Sequence, residues 1–232
     1  MDYATHVETM INKSISGLLD RNRDILYEVA EKDEPKANDL EIELEERCTV
    51  LIAKYQPTAK DLRTIMMASQ MNNDLERMAD LAVNIVESAL FLIDRPPLKP
   101  FIDIPNMALI TRKMVKDSID AFNNEDAKLA QSVCERDQLI DDLKDQIFRE
   151  LITYMMSNSA NIERSFQIIR IANSLERIAD LSTNLCEDVI YIVEGKVIKH
   201  HKDEEKPSEK KNIGLYHLLT NHTESISKSM TQ

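Results

Sequence analysis

Two short acidic motifs recur in this 232-residue chain: Glu76 with Asp80, and Glu176 with Asp180, each pair four residues apart. Because an α-helix turns by about 100° per residue, residues four apart share a face, and each pair would place two carboxylates side by side. Like charges at this spacing repel, and a cation held by carboxylate oxygens would offset the repulsion. The motifs therefore predict either cation sites or solvated acidic faces.

Helices that precede the motifs carry acids that could complete such sites. The candidates are Glu41 and Glu45 in the first half, and Asp137, Asp141 and Asp145 in the second; the sequence does not fix how they pair with the motifs. No His lies beside either motif, which favours hard, oxygen-preferring ions such as Mg²⁺, Mn²⁺ or iron over a thiolate-type zinc site. Next to the motif acids, Arg77 and Arg177 are expected to form surface ion pairs with neighbouring carboxylates.

The two motifs belong to an internal repeat with an offset of one hundred residues. Residues 75–81 read LERMADL and residues 175–181 read LERIADL, and Asn84 and Glu87 match Asn184 and Glu187. On each predicted helix the matching acids form one stripe, opposite a cluster of apolar residues. A duplicated helical unit is the simplest explanation.

The composition favours helices, with only three Gly, no Trp and 5% aromatic residues. Apolar spacing predicts three helices in each half, with a proline-rich linker at Pro96, Pro97 and Pro100. We therefore expect an all-α protein of two tandem three-helix bundles related by a pseudo-two-fold axis, spanning 1–95 and 96–198, followed by a charged flexible segment, 199–232. The predicted helices cover 7–29, a second one that follows a break at the polar residues 31–34 and Pro35 and ends near 56, and then 59–93, 106–123, 126–156 and 160–194.

Charge and motif content exclude several classes of function. A formal net charge of -12 and a pI near 4.9 disfavour nucleic acid and anionic membrane surfaces as partners. No apolar run approaches the ~18 residues of a membrane span, and the N-terminus lacks the pattern of a signal peptide, so a cytoplasmic location is expected. There is no Gly-rich phosphate loop, GxSxG or HExxH motif, so we expect a binding protein that is not an enzyme.

Longer motifs carry a family likeness. Residues 56–63 read QPTAKDLR ahead of LERMAD, and residues 149–156 read RELITYMM ahead of LERIAD. In this order they resemble the PhoU family over residues 1 to 200. The resemblance implies two three-helix bundles that bind metal clusters of iron, zinc, magnesium or manganese. It assigns metal binding to Glu76, Asp80, Glu176 and Asp180, and further to Glu41, Asp137 and Asp141; Glu34 with Asn38 is an alternative to Glu41 with Glu45.

The resemblance also implies a role and partners. Members of the family are cytoplasmic negative regulators that link the phosphate-specific ABC transporter, through its ATPase PstB, to the sensor histidine kinase PhoR, and a homodimer is expected. The sequence departs from the family at Leu181, where many members have His, and at Ala79 and Ala179, which replace Gly.

Two other functions remain open at this point. A carboxylate-bridged metalloenzyme or metal-storage bundle would need a Glu-x-x-His pair, which the sequence lacks. A metal-free helical adaptor would instead dock its acidic stripe onto a basic partner.

Overall fold

The computed structural model describes residues 2–194, and within them it contains helices and no strand, which confirms the all-α prediction. The predicted charged segment, 199–232, lies outside these residues. None of the described helices is both long and apolar enough to cross a membrane. The helices are α1 (Asp2–Leu19), α2 (Arg23–Glu28), α3 (Glu34–Tyr55), α4 (Ala59–Ile93), α5 (Asp103–Asn124), α6 (Ala127–Cys134), α7 (Asp137–Ser157) and α8 (Ile162–Glu194).

The helices form two similar bundles, as the repeat predicts. In the first half α1 and α3 pack on α4, and in the second half α5, α6 and α7 pack on α8. The long helices α4 and α8 also pack along each other, so that the two repeated motifs face a common region of the molecule. The fully buried core includes Met78 and Ile85 of α4, together with Met107, Ile140 and Ile147 from the second half.

The prediction of one continuous helix over 7–29 is wrong. Helix α1 ends at Leu19, and α2 begins at Arg23 after a turn in which Arg21 has φ 51°. The Asn22 side chain accepts hydrogen bonds from the N–H groups of Asp24 and Ile25, which caps α2. A Cβ on Gly17 would lie 2.6 Å from Leu26 Cδ2, so Gly17 allows α2 to fold closely back onto α1.

Pro35 does not end a helix here, although the sequence predicts a break near it. It lies in the first turn of α3, a position that accommodates proline. The preceding residues, Val29–Asp33, form a π-helical turn that joins α2 to α3. Two residues of α1 hold this turn: Lys13 pairs with Glu28 and Asp33 at 2.8 Å each, and His6 Nε2 donates to the Asp33 carbonyl at 2.8 Å.

The single helix predicted over 126–156 is also interrupted, between Cys134 and Asp137. Arg136 turns back at this point: its Nε donates to the Ser132 carbonyl at 3.0 Å, and its Nη2 pairs with Asp117 of α5 at 2.5 Å. The Arg136 guanidinium competes for a helix carbonyl and forms an ion pair with the neighbouring helix α5. Together these two interactions explain the interruption. The middle helix of each half therefore departs from regular α-helix near its N-terminal third, through the π-helical turn in the first half and the break at Arg136 in the second.

The turns after α1 and α5 use the same chemistry. Asn22 N–H bonds to the Gly17 carbonyl and Asp126 N–H to the Ala121 carbonyl, at 2.9 Å in both cases, as in a Schellman turn. Asp126 Oδ1 caps α6 at the N–H groups of Lys128 and Leu129, 3.0 Å away, just as Asn22 caps α2. These turns are 104 residues apart, so the ungapped repeat holds for α4 and α8 but shifts by four residues at the first turns.

Replacing Asp126 by Ala removes this cap and leaves two N–H groups without their acceptor. We expect Asp126→Ala to lower the free energy of unfolding by about 1 kcal/mol in urea denaturation. Lys128→Ala, at an exposed neighbouring position with no side-chain bond to another described residue, is the matched control and should change it by less than about 0.5 kcal/mol. Equal effects of both changes would contradict the capping role.

Candidate functional site

The repeated motifs of α4 and α8 have the same pattern of exposure. Glu76 and Glu176 are half-buried, whereas Asp80 and Asp180 are exposed, and residues 71–80 match residues 171–180 in burial class at every position. The apolar residues of the motifs face inward, which confirms the predicted outward acidic stripe. The buried members are Leu75, Met78, Ala79, Leu175, Ile178 and Ala179.

The first cluster comprises Glu41 of α3, Glu76 and Asp80 of α4, and Tyr3 of α1. Burial raises the pKa of Glu76, and the charges of Asp80 and Glu41 raise it further, so the three carboxylates lie close enough to interact. The Asn72 side chain of α4 donates to the Glu41 carbonyl at 3.0 Å and fixes the backbone of α3 at this level.

Tyr3 closes the first cluster from the side of α1. Its side chain is 6% exposed, and its hydroxyl has no hydrogen-bond partner among the described residues. Burial raises the pKa of this hydroxyl, and Glu41, Glu76 and Asp80 add to the effect, which places the phenol beside these acids. A buried hydroxyl without a partner is unusual, because desolvation is normally offset by a hydrogen bond.

The second cluster comprises Asp137, Asp141 and Lys144 of α7 with Glu176 and Asp180 of α8. Lys144 Nζ lies 2.7 Å from Glu176 Oε1 and 3.2 Å from Asp141 Oδ1, so an ammonium group bridges the two helices. Burial alone would lower the pKa of Lys144, but its hydrogen bonds to Glu176 and Asp141 raise it overall.

Asp180 experiences the combined charge of the second cluster. Although the residue is exposed at the cleft, the protein partly desolvates its carboxyl group. This desolvation first, and then the charges of Glu176, Asp137 and Asp141, raise the pKa of Asp180 to about 6, while Lys144 acts in the opposite direction. The four acids that the resemblance assigns to this half are thus close enough for their charges to act on Asp180.

The repeat register also becomes clear from these contacts. Glu41 is the partner of Glu76, so it corresponds to Asp141, and the position of Asp137 is taken in the first half by the buried Ala37. Glu45 and Asp145 are exposed and are not among the charges that raise the pKa of Glu76 or Asp180.

The donor chemistry of both clusters fits a hard cation, because every group except Lys144 offers oxygen. The one histidine among residues 2–194, His6, donates to the Asp33 carbonyl. As the side chains stand, however, no three His, Cys, Asp or Glu residues in this part of the chain converge closely enough to hold one ion. Cation binding therefore requires the Glu and Asp side chains to change rotamer.

An open cleft of about 360 Å³ lies between α4 and α8 and joins the two clusters. Each half contributes the same four residue types at matching positions, and Leu181 is one of them. The lining residues are Arg77, Asp80, Leu81 and Asn84 from α4, with Arg177, Asp180, Leu181 and Asn184 from α8.

The surface ion pairs expected for Arg77 and Arg177 are not formed. Neither guanidinium makes a salt bridge or hydrogen bond with a residue in the described part of the chain, and both are exposed at the cleft. Their place in the repeated LER triplet is the sequence signal that could have indicated the cleft. Tyr3 and Lys144 were also missed; Tyr3 gave no signal, and Lys144 resembles an ordinary helix-surface partner of Asp141.

Comparison with known proteins matches both halves of the chain to one family. The PhoU domain model matches residues 1–89 and again residues 104–189. The chain is 41% identical over 200 residues to the "Phosphate-specific transport system accessory protein PhoU homolog" of Aquifex aeolicus, a match that covers 86% of this chain and 90% of that protein. It is 33% identical over 198 residues to the PhoU homolog 2 of Thermotoga maritima, covering 85% and 84%.

A solved structure has the same fold. The crystal structure of PhoU from Pseudomonas aeruginosa superposes with a TM-score of 0.80 at 34% identity, and the match covers 84% of this chain and 93% of that one. The chain therefore shares its fold, including the arrangement of the repeated helices, with the Pseudomonas aeruginosa protein.

The crowding of acids around Asp180 predicts a measurable instability of the cation-free protein. Replacing Asp180 by Asn removes a carboxylate that burial and three like charges disfavour, and exposure at the cleft limits the gain. We expect Asp180→Asn to raise the free energy of unfolding by roughly 0.5 kcal/mol in urea denaturation with EDTA. The control Asp145→Asn, on α7 outside the cluster, should leave it unchanged within a few tenths, and a destabilised Asp180→Asn protein would contradict the argument.

Proposed function

Because the chain belongs to the PhoU family, we propose that it is an accessory regulator of phosphate uptake and of phosphate-responsive signalling. The observation that carries the proposal is the match of the family model to both halves, together with relatives over 30% identical that are named phosphate-specific transport system accessory proteins. Those names describe an accessory role, and the proposal includes no catalytic step.

The proposed partners are the ATPase subunit of a phosphate ABC transporter, similar to PstB, and a sensor histidine kinase, similar to PhoR. In this proposal the chain acts in the cytoplasm, as a homodimer, and represses uptake and signalling when phosphate is plentiful. Its acidic charge suits a basic docking surface on a partner, since complementary potentials steer association and fix orientation.

Cations held by the two clusters are the second part of the proposal. Glu41, Glu76 and Asp80 would hold one group of ions, and Asp137, Asp141, Glu176 and Asp180 the other. A bound divalent cation supplies positive charge that offsets the repulsion among these carboxylates. The ions proposed are iron, magnesium, manganese or zinc. Two observations support cation binding: the acids of both clusters offer oxygen donors, and in each half they interact across two helices.

The cleft is the part of the surface best suited to contact a partner. Arg77 and Arg177 face it without a salt bridge to a described residue, although Arg77 is near enough to Asp74 and Glu76 to oppose the rise in pKa of both carboxyl groups. Docking would therefore break no salt bridge of these arginines. Arginines at the centre of an interface are typical sites of strong binding.

A metal-free adaptor is the alternative that one observation favours. In the second cluster Lys144 already supplies a counter-charge to Glu176 and Asp141. Elemental analysis of the protein purified without chelators separates the two possibilities: an adaptor of this kind would carry no stoichiometric metal yet still bind the transporter ATPase.

The regulatory role is tested by removing the gene from the native host. We expect uptake of radiolabelled phosphate and the output of a phosphate-responsive promoter to rise in phosphate-rich medium, and the wild-type chain to reverse both. The quadruple variant Glu76→Gln, Asp80→Asn, Glu176→Gln and Asp180→Asn should fail to restore repression, because it removes the charges of both motifs.

The matched control for this experiment is Glu45→Gln with Asp145→Asn, which removes exposed acids of α3 and α7 outside the clusters. It should restore repression fully at the same protein level. Unchanged uptake and promoter output after deletion would overturn the proposed function.

The role of the cleft is tested with the purified ATPase subunit of the host's phosphate transporter. We expect Arg77→Gln combined with Arg177→Gln to weaken its binding by at least about tenfold in a titration calorimeter, because both arginines would lose contacts to the partner. Arg63→Gln combined with Arg149→Gln, which are exposed arginines outside the cleft lining, should leave the affinity unchanged. Equal weakening by both pairs would show a general charge effect and not a role of the cleft.

A further inference from the structure

The two acidic clusters differ at one decisive position. Lys144 in the second half corresponds to Leu44 in the first, one hundred residues earlier, and both side chains are half-buried. Lys144 ties Glu176 to Asp141 across α7 and α8, whereas no Lys or Arg among the described residues forms a salt bridge with Glu41, Glu76 or Asp80. The second cluster therefore has a tethered cation, and the first has none.

The first cluster has a feature of its own that indicates a ligand. The Tyr3 hydroxyl is buried beside three carboxylates, and it has no hydrogen-bond partner among the described residues. An isolated buried hydroxyl loses its water without compensation, so a group that enters the cluster and bonds to it would recover that free energy. An oxygen-seeking cation, with its hydration water, is such a group.

We propose that the two clusters bind divalent cations unequally: the first cluster, with Tyr3 facing it, is the tighter site, and Lys144 acts in the second as a built-in competitor. This inference rests on the cation binding of the proposed function. A divalent ion that enters the second cluster meets the positive charge of Lys144 and has to displace it from Glu176 and Asp141. An ion entering the first cluster meets only Leu44 at that position.

Reciprocal exchange of these two residues tests the proposal. With Mn²⁺ as the probe, free Mn²⁺ can be measured by electron paramagnetic resonance during titration of the full chain. Wild type should show a tight and a weak class of sites. Glu76→Gln combined with Asp80→Asn should remove the tight class. Glu176→Gln combined with Asp180→Asn should remove the weak class. Lys144→Leu should tighten the weak class, and Leu44→Lys should weaken the tight class, each by at least about tenfold.

Two controls separate charge from packing and from net charge. Leu44→Met changes the packing at residue 44 without adding charge, and it should keep the tight class intact. Lys113→Leu removes a positive charge from an exposed position on α5 that has no salt bridge in the described chain, and it should leave both classes unchanged. Tyr3→Phe should weaken the tight class alone, and Lys144→Met is a second variant should Lys144→Leu fold poorly.

The outcomes distinguish this inference from the proposal on which it rests. If wild type binds no Mn²⁺ at the motif residues, cation binding itself is overturned, and the inference with it. If Mn²⁺ binds both clusters equally, or if Lys144→Leu lowers stability but leaves affinity unchanged, cation binding stands and Lys144 is only a bridge between helices.

Discussion

The burial of the apolar faces of α4 and α8 is the interaction on which both clusters and the cleft depend. Burying a large apolar side chain contributes about 1.5–3 kcal/mol, whereas repulsion between solvated carboxylates four residues apart costs only a few tenths of a kcal/mol. Met78, Ile85, Ile178 and Leu185 are all at most 1% exposed. The buried apolar faces of α4 and α8 therefore determine how each helix packs in its bundle, and the acids outside those faces have to tolerate their neighbours.

This imbalance explains why charged groups are crowded here without unfolding the protein. The helices cannot separate their carboxylates without exposing the core, so the repulsion remains as a local cost. Desolvation first, and this repulsion second, raise the pKa values of Glu76 and Asp180. A site held in this way is ready to accept positive charge from an ion, a lysine or a basic partner. In the second half the sequence itself supplies that charge through Lys144.

The long helices were the easiest part of the fold to predict. The third helix was predicted at 59–93 and is found at Ala59–Ile93, since its apolar periodicity is unbroken and prolines flank it. The interruptions were not predictable from periodicity. The break near residue 20 depends on an Asn cap and on Leu26 packing over Gly17, and the break at Arg136 depends on an ion pair to Asp117, nineteen residues away. Pro35 misled the prediction because the first turn of a helix accommodates proline.

Spacing alone predicted the site only where one helix carried it, and it left open how Glu41, Asp137 and Asp141 of the preceding helices pair with the motifs. Glu76, Asp80, Glu176 and Asp180 follow from spacing within α4 and α8, but Tyr3 joins the first cluster from α1, more than seventy residues earlier in the chain, and no local pattern indicates such a contact. Lys144 was hidden for a different reason. An acid and a lysine three residues apart on a helix usually form a solvated pair of small energetic value, and only the third partner on α8 gives this lysine its role.

The distribution of differences between the halves has a structural explanation. The cleft is built from one contribution of each half, so a change on α4 alone alters a surface that α8 shares, and its lining pairs are identical: Arg77 with Arg177, Asp80 with Asp180, Leu81 with Leu181, and Asn84 with Asn184. Each cluster, by contrast, is completed by helices of its own half. A difference such as Leu44 in the first half and Lys144 in the second therefore changes one cluster without disturbing the other. The two halves differ in chemistry at the helices that complete each cluster.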